Sequence, residues 1–507
     1  MTIRHLPMIL PPALLKRCGD NLVRHVAIDS MVVFRIGFGL LMAGWAFDYL
    51  RTDRVRFLFT VPAFHFAWDF FPWLKPWPGH GMTLQFALMM LAALLIAAGA
   101  FYRVSTAVFA VGFSHFFLLD RTNYQNHYYL ILLLSWIMVV LPANRAFSVD
   151  AFNGTVCASR RVPRWSLLLL QFQIAVPYFY GGLAKFDADW LSGDPMRFLL
   201  MQYGWFQNPD GWLDVRLAAG LLTWGGLLFD LLIVPLLLWP PARLAAFSAV
   251  LIFHLMNSLI FRIHVFPWLM LVATTILFAP DWPHRLIDAA AGQVARKRRS
   301  DDSVAPTVPY FRITRREQVT FVLLAVYCLF QVSWPLRHLL YDGETGWTER
   351  GHCFSWRMML RGKTTGVRFY VTDSGTDATY AADVRPYLNS EQLGKFARDP
   401  ENILDMAHFL AAEHGRRLGR PVRVHALALT SLNGRKPQLL IDPAVDLAAQ
   451  PRAGFERSWI VPLTEPRREL PWTVPLNQWE RHVQLPDLPF LQRELPDKGE
   501  DLHDKVS

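Results

Sequence analysis

Three short stretches concentrate the side chains able to do chemistry. The first, WSLLLLQFQIAVPYFYGGLAKFDADW over 165–190, runs an apolar segment into Lys185, with Asp187, Asp189 and Trp190 directly after it. The second, DRTNYQNHYYL over 120–130, sets Asn126 and His127 at the opening of another apolar run. The third, FHLMNSLIFRIHVFPW over 253–268, carries His254, Asn257 and His264 and breaks at Pro267. An ionisable group at a membrane boundary is costly unless water, a partner or a reaction uses it. Apolar surroundings disfavour the charged form of an amine, and a neutral amine at the wall of an apolar cavity can deprotonate a weakly acidic, lipophilic substrate. A phenol or hydroquinone with an isoprenoid tail is such a substrate. Histidine and asparagine at the same depth can position a small electrophile or hold a developing oxyanion.

Each residue also has a structural reading. Lys185 alone reads as a snorkelling anchor whose stem reaches the headgroup layer. His127 alone reads as an interfacial histidine, and His254 with Asn257 as hydrogen-bonding glue between helices. Asp187 and Asp189 read as a solvated loop or a helix cap, and Gly181-Gly182 as a close helix contact. Taken residue by residue, the sequence leaves these alternatives open.

The elements that must position these groups are membrane helices. Of 507 residues 53% are hydrophobic, with 19 Trp, 37 Phe and repeated apolar runs near span length, a composition that excludes an ordinary soluble enzyme. Candidate spans fall at 31–50, 82–101, 104–119, 127–143, 165–185, 217–239, 243–262, 265–280 and 318–338, so a polytopic α-helical membrane domain of about eight or nine spans is expected. The aromatic, proline-rich stretch 55–78 reads as interfacial. No small-residue cleavage pattern follows the N-terminal MTIRHLPMILPP, so the first span is expected to direct insertion. The net charge of +10 is informative through its distribution rather than its sum and does not require nucleic acid. Arg145, Arg160, Arg161, Arg164 and the loop 281–317, with its run Arg296-Lys297-Arg298-Arg299, gather on one side. The positive-inside rule makes that side cytoplasmic and puts all three chemical stretches, and everything after about 339, outside.

After residue 338 the long apolar runs stop. VRFYVTD, VRVHALALTSL and PQLLIDP read as strands and 391–417 as a helix, giving a β-rich extracytoplasmic domain over 339–460, followed by a Pro- and charge-rich strap over 461–507. Cys18, Cys157, Cys328 and Cys353 are too scattered for a metal motif or a disulfide framework.

At these residues the chain resembles the vitamin K-dependent gamma-glutamyl carboxylase family, including its bacterial homologues. The likeness runs through DRTNYQNHYYL, YFYGGLAKFDADWLSG and FHLMNSLIFRIHVFPWLMLVATTILFAPDWP, then WTERGHCFSWRMM over 347–359, and covers about 30–445. The resemblance implies oxidation of reduced vitamin K or menaquinol by O2 to the epoxide, coupled to CO2 addition at a glutamate of a peptide or protein substrate. No metal is implied. It makes Lys185 the base toward the quinol, with His127 and Asn126 as the polar pair of the active centre and histidine assisting carboxylation. His254, Asn257 and Trp190 are then expected at the quinone; His338, His352, Trp356 and Arg357 are candidates near the substrate, Trp356 equally a core residue. The family's animal members carry a second lysine where this chain has Ala184. The resemblance therefore leaves room for a quinol epoxidase without carboxylation. A non-catalytic quinone- or lipid-binding protein is the reading from a different class. A transporter fits poorly, because the polar groups sit at one face and no repeat pairs the halves.

Overall fold

The computed structural model describes residues 19–488, apart from 202–213, 262–263, 292–313, 453 and 455. The basic run 296–299, Cys18 and the end of the strap thus lie outside the described residues. All nine apolar runs fold as helices. They are α1 (Asp29–Arg51), α2 (Gly81–Ala98), α3 (Tyr102–Leu118), α4 (Asn126–Val140), α5 (Arg164–Ala184), α6 (Val215–Leu238), α7 (Arg243–Phe261), α8 (Phe266–Thr274) and α9 (Arg315–Ser333), the last continuing as a 3-10 helix through Trp334–Leu340. Six are long and apolar enough to cross a membrane: α1, α2, α5, α6, α7 and α9 with its extension. At 1.5 Å rise per residue, the 15-residue α4 falls short of a hydrocarbon core of about 30 Å. Length and composition therefore support six of the eight or nine spans expected. Leu84, Leu88 and Leu91 of α2 and Leu217, Leu221 and Leu228 of α6 stay exposed, as side chains facing lipid must.

Aromatic rings fill the seam between α1, α2, α3 and α4: Trp45 packs on Phe86, Phe113, Phe116 and Tyr128, all within 6.0 Å centroid to centroid. At the end away from the C-terminal domain, β1 (His25–Ala27) pairs antiparallel with β2 (Arg161–Pro163). Arg35 of α1 is fully buried there and donates to the carbonyls of Ala143 (2.8 Å), Ala146 (3.2 Å) and Phe147 (2.5 Å). It satisfies the turn that ends α4, where a buried backbone oxygen would otherwise lack a donor.

The C-terminal domain is a four-stranded antiparallel sheet of order β4-β3-β5-β6, with β3 at Lys363–Asp373, β4 at Thr379–Ala382, β5 at Val422–Leu432 and β6 at Gln438–Leu439. Alternation sorts its faces. Phe369, Val371, Val424, Ala426 and Ala428 turn toward α10 (Pro400–Leu418), whereas Tyr370, Leu427 and Leu429 turn to Trp479, Trp472 and Val474 of the C-terminal strap. The strap thus supplies the cover of the second sheet face. The helix expected over 391–417 is interrupted. Asp399 caps a new helix at Pro400, leaving a short turn of helix at Ser390–Leu393, because proline suits a first helical position and not an interior one.

The stretch 55–78 is likewise not a span, but it divides its allegiance. Phe70, Trp73 and Trp77 are exposed, while Phe66 is fully buried in the core of the C-terminal domain and the Ala63 and Phe64 amides both donate to Tyr387 O. Substituting Arg35 with Leu should leave three carbonyls, two of them buried, without their charged donor and destabilise the helical domain by roughly 2–4 kcal/mol. A clear fall in unfolding temperature in detergent would register it.

Candidate active site

Lys185 closes α5. Its Nζ folds back to donate to Gly181 O (3.1 Å) and meets Asp230 Oδ2 of α6 at 2.5 Å, both side chains only 6% exposed. Close helix packing makes the pair possible. A Cβ on Gly182 would lie 2.7 Å from Leu231 of α6, and one on Gly181 would lie 3.0 Å from Asp230 Oδ2 itself. The ring of Trp190 covers the ammonium at 5.0 Å and is fixed by its own Nε1–H donating to Thr223 O (3.1 Å).

Around this pair lies a cavity of about 280 Å³. Asn126 and His127 of α4, Tyr178 of α5, Asp230 of α6, and His254 with Asn257 of α7 share its lining with Lys185, Trp190 and Phe266. The sequence-predicted Lys185, Asn126, His127, His254, Asn257 and Trp190 are therefore brought together. His254 is 1% exposed, with Nε2 3.0 Å from Tyr178 Oη; its Nδ1 has no partner among the described residues. His127 packs edge-on against Tyr128, with ring centroids 4.5 Å apart. His264 is exposed, and Pro267 starts α8 rather than kinking a continuous helix.

His338, Trp356 and Arg357 stand outside the lining. His338 Nδ1 is 2.8 Å from Pro335 O, Trp356 packs on Tyr129 (4.9 Å) within the helical core, and Arg357 donates to Asp187 Oδ2 (3.2 Å). Buried His352 sits near Arg361, Arg357, Lys363 and Arg337. Burial first, and then those cations, push its imidazole well below the ordinary histidine value. What reaches the cavity from this segment is Met358 and Met359. Glu349, Phe354, Trp356 and Met359 all hold positive φ, from 55° to 63°, so the segment is a strained turn kept in place by its surroundings. Tyr124 ties it to the site: its hydroxyl accepts from Phe354 N (2.6 Å) and donates to Asn126 Oδ1 (2.9 Å).

Two further clamps join the chemical loops to the C-terminal domain. Arg121 meets Asp405 (2.5 Å) and Asn402 (3.0 Å) at the start of α10. Asp189 receives a two-pronged contact from Arg435 (2.5 and 2.7 Å) and a third bond from Asn433 (2.8 Å). Asp187 is a cap, accepting from the amides of Asp189 and Trp190.

Sequence reasoning missed Asp230, Tyr178, Met358 and Met359. For Asp230 a signal existed, since it is the lone acid in the apolar run LLTWGGLLFDLLIVPLLL, and an ionisable residue inside a span marks function by default.

With that geometry in view, the family models decide the kinship. Residues 23–282 match the HTTM domain, and residues 316–466 match the lumenal domain of vitamin K-dependent gamma-carboxylase. The chain belongs to the vitamin K-dependent gamma-carboxylase family. The helical half carrying the Lys185 cavity and the sheet domain that clamps it are thus the two parts of a gamma-carboxylase-like membrane protein. No solved structure matches the chain.

In this gamma-carboxylase-like protein, burial opposes the charge of Asp189, but the Arg435 and Asn433 bonds outweigh it and hold the carboxyl below the usual aspartate range. A depressed folded value makes the clamp's stability fully present above the ordinary aspartate pKa of about 3.9 and lost as pH falls through the lower folded value. Replacing Arg435 with Met should cost roughly 3–5 kcal/mol at neutral pH. In thermal unfolding, the gap to wild type should narrow at acid pH.

Proposed function

We propose that the chain is an integral membrane gamma-glutamyl carboxylase that couples oxidation of a reduced vitamin K or menaquinone by O2, to the epoxide, with CO2 addition to a glutamate of a peptide or protein. The observation that carries this reading is the cavity in which Lys185, Asp230, His127, Asn126, His254 and Asn257 meet beneath Met358 and Met359 of the lumenal domain. Its volume is at the low end for ligand pockets, roughly 300–1,000 Å³, which suits a ring headgroup better than a whole isoprenoid quinone. The walls are aromatic and thioether, the polar groups few, and His254 Nδ1 is a buried polar atom awaiting a partner.

When bound, a reduced quinone supplies through its oxidation the strong base that a γ-carbon acid requires. The residues do the rest. Lys185, bonded to Asp230, stands where the proton of the ring hydroxyl is removed. His254 Nδ1 and the Asn257 amide hold ring oxygens, and Trp190 with the methionines excludes water. His127 serves the carboxylation half, with Asn126 held in place by Tyr124. Trp356, packed on Tyr129, and Arg357, bonded to Asp187, hold the Met358 segment in place, and His338 stands beside that segment as the further candidate on the peptide side. The helical half is read as lying in a bacterial inner membrane with the lumenal domain outside the cytoplasm, an orientation supported by Arg24, Arg145, Arg160, Arg161 and Arg164 gathering at the opposite end of the helices.

Purified protein in nanodiscs, given reduced vitamin K, O2, labelled CO2 and a glutamate peptide, should form epoxide and fix label together. Epoxide without label would reduce the reading to an epoxidase; quinone binding without oxygen uptake would make the chain a binding protein. Replacing Lys185 with Ala should lower epoxide formation roughly 10²–10⁴-fold, and full retention would sink the lysine's role. Replacing His127 with Ala should depress carboxylation more than epoxidation, and equal loss would argue against dividing the roles.

A further inference from the structure

The cavity contains an acid that the lysine-base reading does not use. Asp230 is the one carboxylate in the lining among the described residues, it is 5% exposed, and its Oδ2 lies 2.5 Å from Lys185 Nζ. The site is shaped around that contact. Gly181 leaves room for the carboxylate, since a Cβ there would lie 3.0 Å from Asp230 Oδ2, and Gly182 lets α6 approach, since a Cβ there would lie 2.7 Å from Leu231. A charge buried this deeply is tolerated only when paired, and Asp230 has no other cation within bonding distance among the described residues.

We propose that Asp230 and Lys185 act as one unit in which the carboxylate, not a free amine, is the proton acceptor. This rests on the quinol reading above and changes its chemistry. A lysine bonded to a carboxylate is not the free amine that the sequence suggested. With the pair as ammonium and carboxylate, the substrate O–H bond breaks, its proton forms an O–H bond on Asp230, and the ammonium of Lys185 faces the charge left on the substrate oxygen. The pair begins with no net charge and ends with one positive charge opposite one negative charge, so the cavity as a whole gains none. The lysine then stabilises the anion and the aspartate removes the proton, a division that suits a site from which water is excluded. Tyr178 of α5, His127 of α4 and His254 of α7 are the other titratable groups facing this pair; α6 offers no further one to the lining, and the lumenal segment offers only methionines.

The test compares wild type with D230N and D230E in nanodiscs. One arm measures epoxide formation. D230N, nearly identical in shape, should lose roughly 10²-fold or more in kcat with little change in quinol KM, and D230E should recover a substantial part. The second arm needs no quinol: an amine-selective reagent at mildly alkaline pH, with Lys185 followed by peptide mass spectrometry. Lys185 should label about tenfold faster or more in D230N, having lost the carboxylate that engages its Nζ. Faster labelling together with lost epoxidation is the decisive result, because a free lysine would then be present and insufficient. D230N forming epoxide within about threefold of wild type would overturn the proposal, as would unchanged labelling of Lys185. If wild type forms no epoxide at all, the quinol reading fails while the labelling arm still reports on the pair. Size-exclusion profiles of D230N and D230E separate misfolding from chemistry, and a folded D230E without recovery also counts against the proposal.

Discussion

Much of the helical half follows from one constraint: a lysine and an aspartate buried in an apolar cavity must touch. Nζ and Oδ2 at 2.5 Å demand that α5 and α6 approach closely, and the chain meets that demand with glycine at 181 and 182, where any side chain would crowd Asp230 or Leu231. The rest of the shell keeps water from competing for the same atoms. Trp190 covers the ammonium and is itself anchored to Thr223, so the ring cannot swing out without losing a buried hydrogen bond. Hence the pair is held from two helices and from the loop that follows α5.

That loop is in turn held from outside the helical half. Asp189 on Arg435, Asp187 on Arg357 and Arg121 on Asp405 tie the two loops that bear Lys185 and His127 to the sheet domain. Paired, hydrogen-bonded charges between two bodies fix register more than they add stability. The strained turn 349–359 is the third tie, reaching Asn126 through Tyr124 and closing the cavity with two methionines. Consequently the cavity lining is completed only when the lumenal domain is docked.

The sequence made legible whatever rests on local pattern. Each apolar run became a helix, β5 fell on Val422–Leu432 as its alternation required, and six of the expected site residues converged on one cavity. It hid what depends on partners distant in the chain. Asp230 disappeared into an apolar run because its meaning lies in Lys185, 45 residues away. Asp187 and Asp189 read as a solvated loop or a helix cap, and Asp187 is a cap; their ion pairs stayed hidden because Arg357 and Arg435 are 170 and 246 residues away. The stretch 55–78 looked purely interfacial because nothing local reveals that Phe66 is needed to fill the core of the C-terminal domain. Trp356 and Arg357 were conspicuous by type, yet Met358 and Met359 reach the cavity, since a turn with positive φ at Phe354, Trp356 and Met359 re-aims its side chains in a way no periodicity predicts.

The same geometry explains why Ala184 suits this chain. Residue 184 packs against the apolar cluster of Trp190, Met196 and Leu360, beside the pair but outside it. A second lysine there would bring another cation toward a cavity whose lining holds one carboxylate, and that carboxylate is already bonded to Lys185. Without a further acid the added charge would be uncompensated, or would compete for Asp230 and release Lys185. Alanine keeps the pairing one to one. The charge balance of the cavity, rather than the lysine alone, is therefore the property that substitutions around the end of α5 act upon.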